Sequence, residues 1–494
     1  MTENTYLPYP VQKYNQQEKS GFFKNVMKKI TNLTFRTDYI EKPQITFIGA
    51  TGTVTGSKYL IEYKDKKILV DCGLFQGLKD DRLKNREPLP ISPTKLDAVI
   101  LTHAHLDHSG YIPLLVKNGF KGPVYATQAS YELSKLILPD SGFLQEEDAR
   151  YAKKKGTSKH KDPQPLYTEE DAVKSLKNFK IIRFNDVVKI GNDIDFKIVS
   201  AGHILGAGSI EMQLGHKTIV FSGDLGRAHD EVMYAPTPIR SADYILCEST
   251  YGDRVHKHID TKEELAKIVN KTISRGGNLI VPAFAVGRTQ LMLYMLYQLK
   301  KERAIPRVPI FVDSPMAIKV THLFDDFINE HKLSAKECQE MFDDTKFTST
   351  VDQSKRIFES KVPSIIISAS GMATGGRVLH HLAHYGPDSS NTILLVGFQA
   401  MGTRGRQLQD GAKEVKIHGQ IVRINAEVVV LPNMSAHADS DELMSWLKNF
   451  KDKPTRLFIT HGELHSSNAL AERAEKELQW DAVVPEYLQM QQLI

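Results

Sequence analysis

From residue 45 onward the apolar side chains come in short runs, ITFIGA, SKYLIEY, KKILVDC and DAVILTH, separated by turn residues, which predicts strands. Helical stretches alternate with strands to about 184. Two hairpin-like pairs follow, VVKI-GND-IDFKIVSAG and SIEMQL-GHK-TIVFSGD, and a strand ADYILCEST ends near 249. After about 251 helices alternate with the apolar runs NLIVPAF (278–284), PIFVDS (309–314), SIIISAS (364–370) and NTILLVGF (391–398). That alternation predicts a parallel sheet covered by helices. Strand-rich character returns in EVKIHGQIVRINAEVVVL (414–431), followed by a helix at 440–450, a strand RLFITH and a last helix near 466–479. One segment precedes the pattern. In FFKNVMKKITNL (22–33), Phe22, Phe23, Val26, Met27, Ile30 and Leu33 recur at helical spacing, with Lys24, Lys28 and Lys29 on the other side. Such a basic amphipathic helix suits a membrane surface, RNA, a partner, or packing on its own domain.

Composition narrows the class. A chain of 494 residues with 41% hydrophobic and 25% charged side chains can bury a sizeable core, and length alone favours roughly three domains. Three scattered cysteines, Cys72, Cys247 and Cys338, exclude a disulfide framework or a thiolate zinc cluster and point to a reducing compartment. No apolar run reaches the roughly 18 residues that span a bilayer, and the first residues have no apolar core of a secretory signal, so a cytoplasmic protein without stable membrane insertion is expected. A formal charge of +5 permits a polyanionic partner without demanding one.

The histidines are unevenly placed. His103-Ala104-His105-Leu106-Asp107-His108 directly follows the apolar strand DAVILT. Four ligand-type residues at a strand end are costly to bury unless a cation compensates them. Imidazole with carboxylate suits Zn²⁺ first, with Mn²⁺ or Fe as alternatives. One such run cannot complete two coordination spheres, and similar residues do recur at strand ends: Asp71 after KKILV, His203 after FKIVSAG, Asp224 after TIVFSG and His461 after RLFIT.

The order Asp71, H-x-H-x-D-H, His203, Asp224 resembles the metallo-β-lactamase fold, an αβ/βα sandwich with one or two metals at its edge. Three further positions sharpen the resemblance: Glu248 at the end of ADYILCEST, His437 in S-A-H-A-D and His461 in T-H-G-E. These are similar to motifs A, B and C of the β-CASP nucleases, in which a second α/β domain is inserted into the lactamase fold. The segments SASGMATGGR and GFQAMGTRGRQLQDGA resemble the bacterial and archaeal homologues of the pre-mRNA 3′-end processing endonuclease subunit. A histidine at motif C favours the RNA-processing branch over the DNA-processing, Artemis-like one. The layout implied is an N-terminal extension at 1–43, a lactamase domain in two parts at 44–250 and 433–494, and a β-CASP insert at 251–432.

The resemblance implies an enzyme with two Zn²⁺ ions. His103, His105, His203 and Asp224 would hold one, and Asp107, His108, Asp224 and His461 the other, with Asp224 bridging and Asp71 orienting a ligand or the water. The ions would activate a hydroxide for in-line attack on phosphorus. His437 would protonate the leaving oxygen, with Glu248 fixing its tautomer and keeping it protonated. Candidate RNA-phosphate contacts are Arg288 in PAFAVGRTQ, Ser370, Gly371, Thr374 and Arg377 in SGMATGGR, and Arg404 in GFQAMGTRGR, because such turns open helices whose free N–H groups bind anions. For each of them a purely geometric role of the glycine-rich turn is an equal alternative. Lys153, Lys154, Lys155, Lys159, His160 and Lys161 form either a backbone-tracking patch or a solvated loop. The expected activity is endonucleolytic hydrolysis of single-stranded RNA by a homodimer. The alternatives are a 5′-exoribonuclease, whose RNase J-type relatives add a C-terminal domain for which the stretch after His461 is too short, and a small-molecule metallohydrolase.

Overall fold

A computed structural model describes residues 39–155, 162–256, 260–431 and 434–494. The amphipathic run 22–33 and the basic residues Lys159, His160 and Lys161 lie outside the described residues.

Two seven-stranded sheets face each other. In spatial order the first consists of Met490–Gln492, Ile40–Phe47, Tyr59–Lys64, Lys66–Val70, Ala98–Ile100, Val124–Thr127 and Phe179–Ile182. The second consists of Ala482–Val483, Arg456–Thr460, Tyr244–Glu248, Lys217–Phe221, Gly208–Leu214, Ile194–Ser200 and Val188–Ile190. Alternation along the strands supplies the space between them. Ile45, Phe47, Ile61 and Ile100 of the first sheet meet Ile198, Ile210, Ile219 and Phe458 of the second, all buried. The opposite face of the first sheet, with Leu69, Val99 and Leu101, is covered by residues such as Ile112, Leu115 and Leu138 from the helices Ile112–Lys117 and Gln128–Lys155. Strands apolar on both faces are what a sheet buried on both sides requires. The two hairpins expected from the sequence pair antiparallel, Val188–Ile190 with Ile194–Ser200 and Gly208–Leu214 with Lys217–Phe221.

A third sheet has six strands, all parallel, in the order Thr345–Phe347, Ile310–Val312, Ile365–Ser368, Leu279–Pro282, Thr392–Val396 and Glu427–Leu431. The run 414–431 divides: Glu414–Ile417 and Gln420–Arg423 form a separate hairpin, and only Glu427–Leu431 joins the parallel sheet. Chain order then reverses. Arg456–Thr460 inserts in parallel between Tyr244–Glu248 and Ala482–Val483, and Met490–Gln492 pairs with Ile40–Phe47 at the edge of the first sheet. The two ends of the described chain therefore lie in one sandwich, with the third sheet between them in sequence. This is the αβ/βα sandwich with an inserted parallel sheet that the sequence implied, an α/β architecture.

One polar contact bridges the two facing sheets near the rim described below. The Tyr59 hydroxyl donates to Thr460 Oγ1 at 3.1 Å, and both residues are buried. Tyr59→Phe leaves the buried threonine hydroxyl without that donor. A loss of about 1–2 kcal/mol is expected, read as a lower urea midpoint at unchanged slope. An unchanged midpoint would show that the bridge contributes nothing to stability.

Candidate metal centre

Six strand ends converge on one rim. Asp71 follows Lys66–Val70, His103 follows Ala98–Ile100, His203 follows Ile194–Ser200, Asp224 follows Lys217–Phe221, Glu248 ends Tyr244–Glu248 and His461 follows Arg456–Thr460. Two of these residues leave ordinary backbone space. Asp71 (φ 56°) and His461 (φ 52°) are left-handed, a conformation that costs a non-glycine residue on the order of 1–3 kcal/mol and persists only where its surroundings enforce it. Here they do: Asp71 N–H donates to Ile100 O at 2.9 Å, and His461 N–H donates to Ala50 O at 2.7 Å. Gly73 allows the loop carrying Asp107 to lie against the strand end, because a Cβ there would sit 1.6 Å from Asp107 O.

The donor atoms fall into two groups around Asp224. His105 Nδ1 lies 3.1 Å from His103 Nε2 and 3.2 Å from His203 Nε2, and Asp224 Oδ2 is 3.4 Å and 3.6 Å from those two Nε2 atoms. On the other side His108 Nε2 lies 3.1 Å from His461 Nε2 and 3.2 Å from Asp224 Oδ1, while Asp107 Oδ2 is 3.5 Å from His461 Nε2. Each group can offer its atoms to one ion, and Asp224 presents one oxygen to each.

Hydrogen bonds behind the rings settle which nitrogen faces inward. The Thr102 hydroxyl donates to Asp71 Oδ2 at 2.8 Å, so its oxygen accepts from His103 Nδ1–H at 3.1 Å. Asp71 Oδ2 also accepts from His108 Nδ1–H at 2.7 Å. The Thr250 hydroxyl donates to Glu248 Oε2 at 2.6 Å, so its oxygen accepts from His461 Nδ1–H at 3.1 Å. His203 Nδ1 faces Ala436 O at 3.4 Å. With Nδ1 occupied in four rings, their Nε2 lone pairs point into the shared space, the arrangement that outer hydrogen bonds impose on metal-ligating histidines.

The electrostatics agree. Burial holds His103 and His203 below the usual imidazole range and lowers His105 to about 3, so these rings stay neutral, as ligation requires. Burial opposes charge on Asp107 and Asp224 as well, but the neighbouring histidines outweigh it and keep both carboxyls below the usual carboxylate range. Burial likewise disfavours a charged His108, yet Asp224 and Asp71 outweigh it and raise the affinity of that ring for positive charge. Asp224 Oδ1 is buried with no hydrogen-bond donor. An orphaned carboxylate oxygen and ring nitrogens that face one another are a donor set that fits divalent cations.

Beside the two groups stands His437. Its Nδ1 is 3.2 Å from both Glu248 oxygens and 3.9 Å from Asp224 Oδ2. Glu248 is itself held by Leu225 N–H at 2.7 Å and by Thr250. Burial works against a proton on His437, but Glu248 and Asp224 prevail and raise its affinity for one.

The phosphate-contact candidates are placed differently. Arg377 donates to Asp313 Oδ1 at 2.7 Å and to the carbonyls of Thr348 and Ser349, and Arg404 donates to the carbonyls of Lys416, Ala373 and Thr374. Both side chains are half-buried and tie neighbouring loops together. Arg288 is buried and donates to Met434 O, in the loop that leads to His437. Ser370 Oγ accepts from Thr374 N–H at 3.0 Å, and Gly371 packs on Phe284, where a Cβ would clash at 2.6 Å. The exposed Thr374 is the member of the six that faces solvent. Lys153 pairs with Asp162 at 2.7 Å, with both side chains exposed.

Thr102 and Thr250 are absent from the sequence reading. The only signal for them is adjacency, a hydroxyl next to His103 in LTHAH and two positions beyond Glu248 in CESTY.

Comparison with known proteins matches this architecture. A model of the metallo-beta-lactamase superfamily matches residues 51–274, one of the Beta-Casp domain residues 289–408, and one of the Zn-dependent metallo-hydrolase RNA specificity domain residues 421–485. Ribonuclease TTHA0252 of Thermus thermophilus is 34% identical over 430 residues, covering 85% of this chain and 93% of that one. Transcription termination factor FttA of Methanosarcina mazei is 31% identical over 487 residues, covering 94% of this chain and 73% of that one. The crystal structure of a protein of unknown function from Enterococcus faecalis V583 shares the fold, with a TM-score of 0.52 at 16% identity over 92% of this chain and 100% of that one. With a metal-hydrolase donor set at the rim of its sandwich and a Beta-Casp segment beside it, the chain belongs to the β-CASP family of RNA-processing nucleases.

Proposed function

We propose that this chain is a zinc-dependent endoribonuclease that hydrolyses single-stranded RNA at two metal ions, with His437 as the general acid. The observation that carries this reading is the position of His437, hydrogen-bonded to a buried carboxylate and within 3.9 Å of the carboxylate that faces both donor groups. A hydrolase that needs only activated water has no use for a proton held there. Cleavage of a phosphodiester does, because the departing alkoxide is a poor leaving group. The relative in Thermus thermophilus is named a ribonuclease, and the RNA specificity model matches residues 421–485.

When bound, two divalent cations supply an activated water near neutral pH and offset charge on the phosphoryl oxygens. The chain's own groups do the rest. His103, His105, His203 and Asp224 would hold one ion, and Asp107, His108, Asp224 and His461 the other. Thr102 and Asp71 orient His103 and His108, and Thr250 orients His461. Glu248 accepts the Nδ1–H of His437, which leaves Nε2–H of the protonated ring to donate to the leaving oxygen. Glu248 is fixed in turn by Leu225 N–H and the Thr250 hydroxyl, so the acid cannot swing away from the site. The 2′-hydroxyl takes no part, and the expected products carry 5′-phosphate and 3′-hydroxyl ends.

His437→Ala should leave the metal content of the zinc-loaded protein unchanged while cleavage falls on the order of 10²–10⁴-fold, the range for loss of a general acid. Unchanged turnover would remove His437 from the chemistry. An internally labelled RNA with a blocked 5′ end separates the modes of attack: internal fragments are expected, whereas mononucleotides alone would assign a 5′-exoribonuclease. A protein that holds both ions and cuts no RNA would point instead to a small-molecule substrate.

A further inference from the structure

The turn that presents His203 is gripped from two sides, and one grip comes from the Beta-Casp segment. Across residues 201–207, Ala201 N–H donates to Ala207 O at 2.9 Å and Ala207 N–H to Ile204 O at 3.0 Å. Gly206 has a left-handed φ of 74° and no room for a side chain, since a Cβ would lie 2.4 Å from Ser130 N. Ala201, Ile204, Leu205 and Ala207 are buried in the core, so the polar backbone groups of the turn must find partners there as well. The Gly206 carbonyl accepts from Thr127 Oγ1 at 2.7 Å and from Ser130 Oγ at 2.9 Å, at the start of the helix Gln128–Lys155. The Gly206 N–H donates to Glu330 Oε2 at 2.7 Å, across 124 residues of sequence.

Glu330 closes the short turn Ile328–Glu330, inside the stretch matched by the Beta-Casp model, whereas Gly206 and His203 lie inside the lactamase match. The residues after Glu330 are fastened to the same neighbourhood. His331 bridges to Met233, Lys332 N–H donates to Val232 O at 2.8 Å, and Lys332 Nζ donates to Asp230 O at 2.5 Å. Ile204 is covered by Gly287, just ahead of that segment, where a Cβ would lie 3.1 Å from Ile204 Cγ2. Behind the His203 ring the one hydrogen bond to Nδ1 is long, 3.4 Å to Ala436 O, so the backbone of the turn carries much of its placement.

We propose that Glu330 is a positioning residue through which the Beta-Casp segment fixes the His203 turn, and with it the grip of the first donor group on its ion. The proposal rests on the reading of His203 as a metal ligand. Seating of the inserted segment is then coupled to metal retention at the rim.

The test uses the full-length, zinc-loaded protein, with ion release followed by a chromophoric chelator. Glu330→Met keeps the bulk but removes the acceptor, and one ion should leave about tenfold faster, the lower end for loss of an outer support. Glu330→Gln keeps an acceptor for Gly206 N–H and should match the parent protein. Release from Glu330→Met at the parent rate overturns the proposal, as does Glu330→Gln behaving like Glu330→Met. His203→Ala is the control. A His203→Ala protein that retains both ions overturns the ligand reading itself, whereas one that loses an ion while Glu330→Met does not overturns the latch alone. Amide exchange of the unaltered metal-free protein needs no variant: Gly206 N–H should be protected, and free exchange there refutes the hydrogen bond.

Discussion

A carboxylate removed from water loses several kcal/mol of hydration, even after the protein relaxes around it, and needs donors or a cation in return. Asp224 is buried at the meeting point of the strand ends, with one oxygen that no hydrogen-bond donor reaches. Most features of the rim answer that debt. His103, His203 and His108 approach its two oxygens from different strands, Asp71 and His461 adopt left-handed backbone to stay in place, and Gly73 has no side chain so that the Asp107 loop can close in. These neighbours compensate the charge only in part, since one oxygen still lacks a donor. A divalent cation held by these residues would complete the compensation.

The donors would be useless if their rings could rotate. Orientation comes from two relays, Thr102 with Asp71 and Thr250 with Glu248, and each threonine donates to a carboxylate so that its oxygen can accept from a ring. The second relay has a further consequence. Glu248 serves both His461, through Thr250, and His437 directly, so one carboxylate connects a metal-ligand candidate to the candidate acid. Substitution of Glu248 should therefore disturb metal retention and proton donation together, and only a double-mutant cycle would separate the two.

Much of this was legible in the sequence, for a physical reason. Strands buried on both faces are written as short apolar runs, and residues at their ends are costly unless functional. The H-x-H-x-D-H run, with Asp71, His203, Asp224 and His461 at other strand ends, therefore stood out although His108 and His461 are 353 residues apart. The parallel sheet of the inserted segment was legible in the same way. The orientation of Arg377 and Arg404 was not. A glycine-rich turn followed by arginine reads alike whether the guanidinium faces a phosphate or, as here, a carboxylate and carbonyls of neighbouring loops. Thr102 and Thr250 left no periodic signal, since a threonine at a strand end is ordinary. Glu330 left none at all: its partner is a backbone N–H, which carries no side-chain identity.

That last case shows what the insertion contributes to the rim. The third sheet supplies no donor to either group among the described residues, yet Arg288 holds the carbonyl of Met434 ahead of His437, and Glu330 holds the turn after His203. Both contacts end on backbone atoms of loops that carry site residues. Tyr251 adds a third link, with its ring 6.4 Å from that of His437 and 5.9 Å from that of Phe398. A segment that touched only substrate could drift without consequence for the chemistry. One that grips the loops of the metal rim cannot, because displacing it would pull on the backbone that carries His203 and leads to His437. The inserted sheet is thus part of the scaffold of the site, and a substrate long enough to pass between the two parts must be accommodated without breaking those grips.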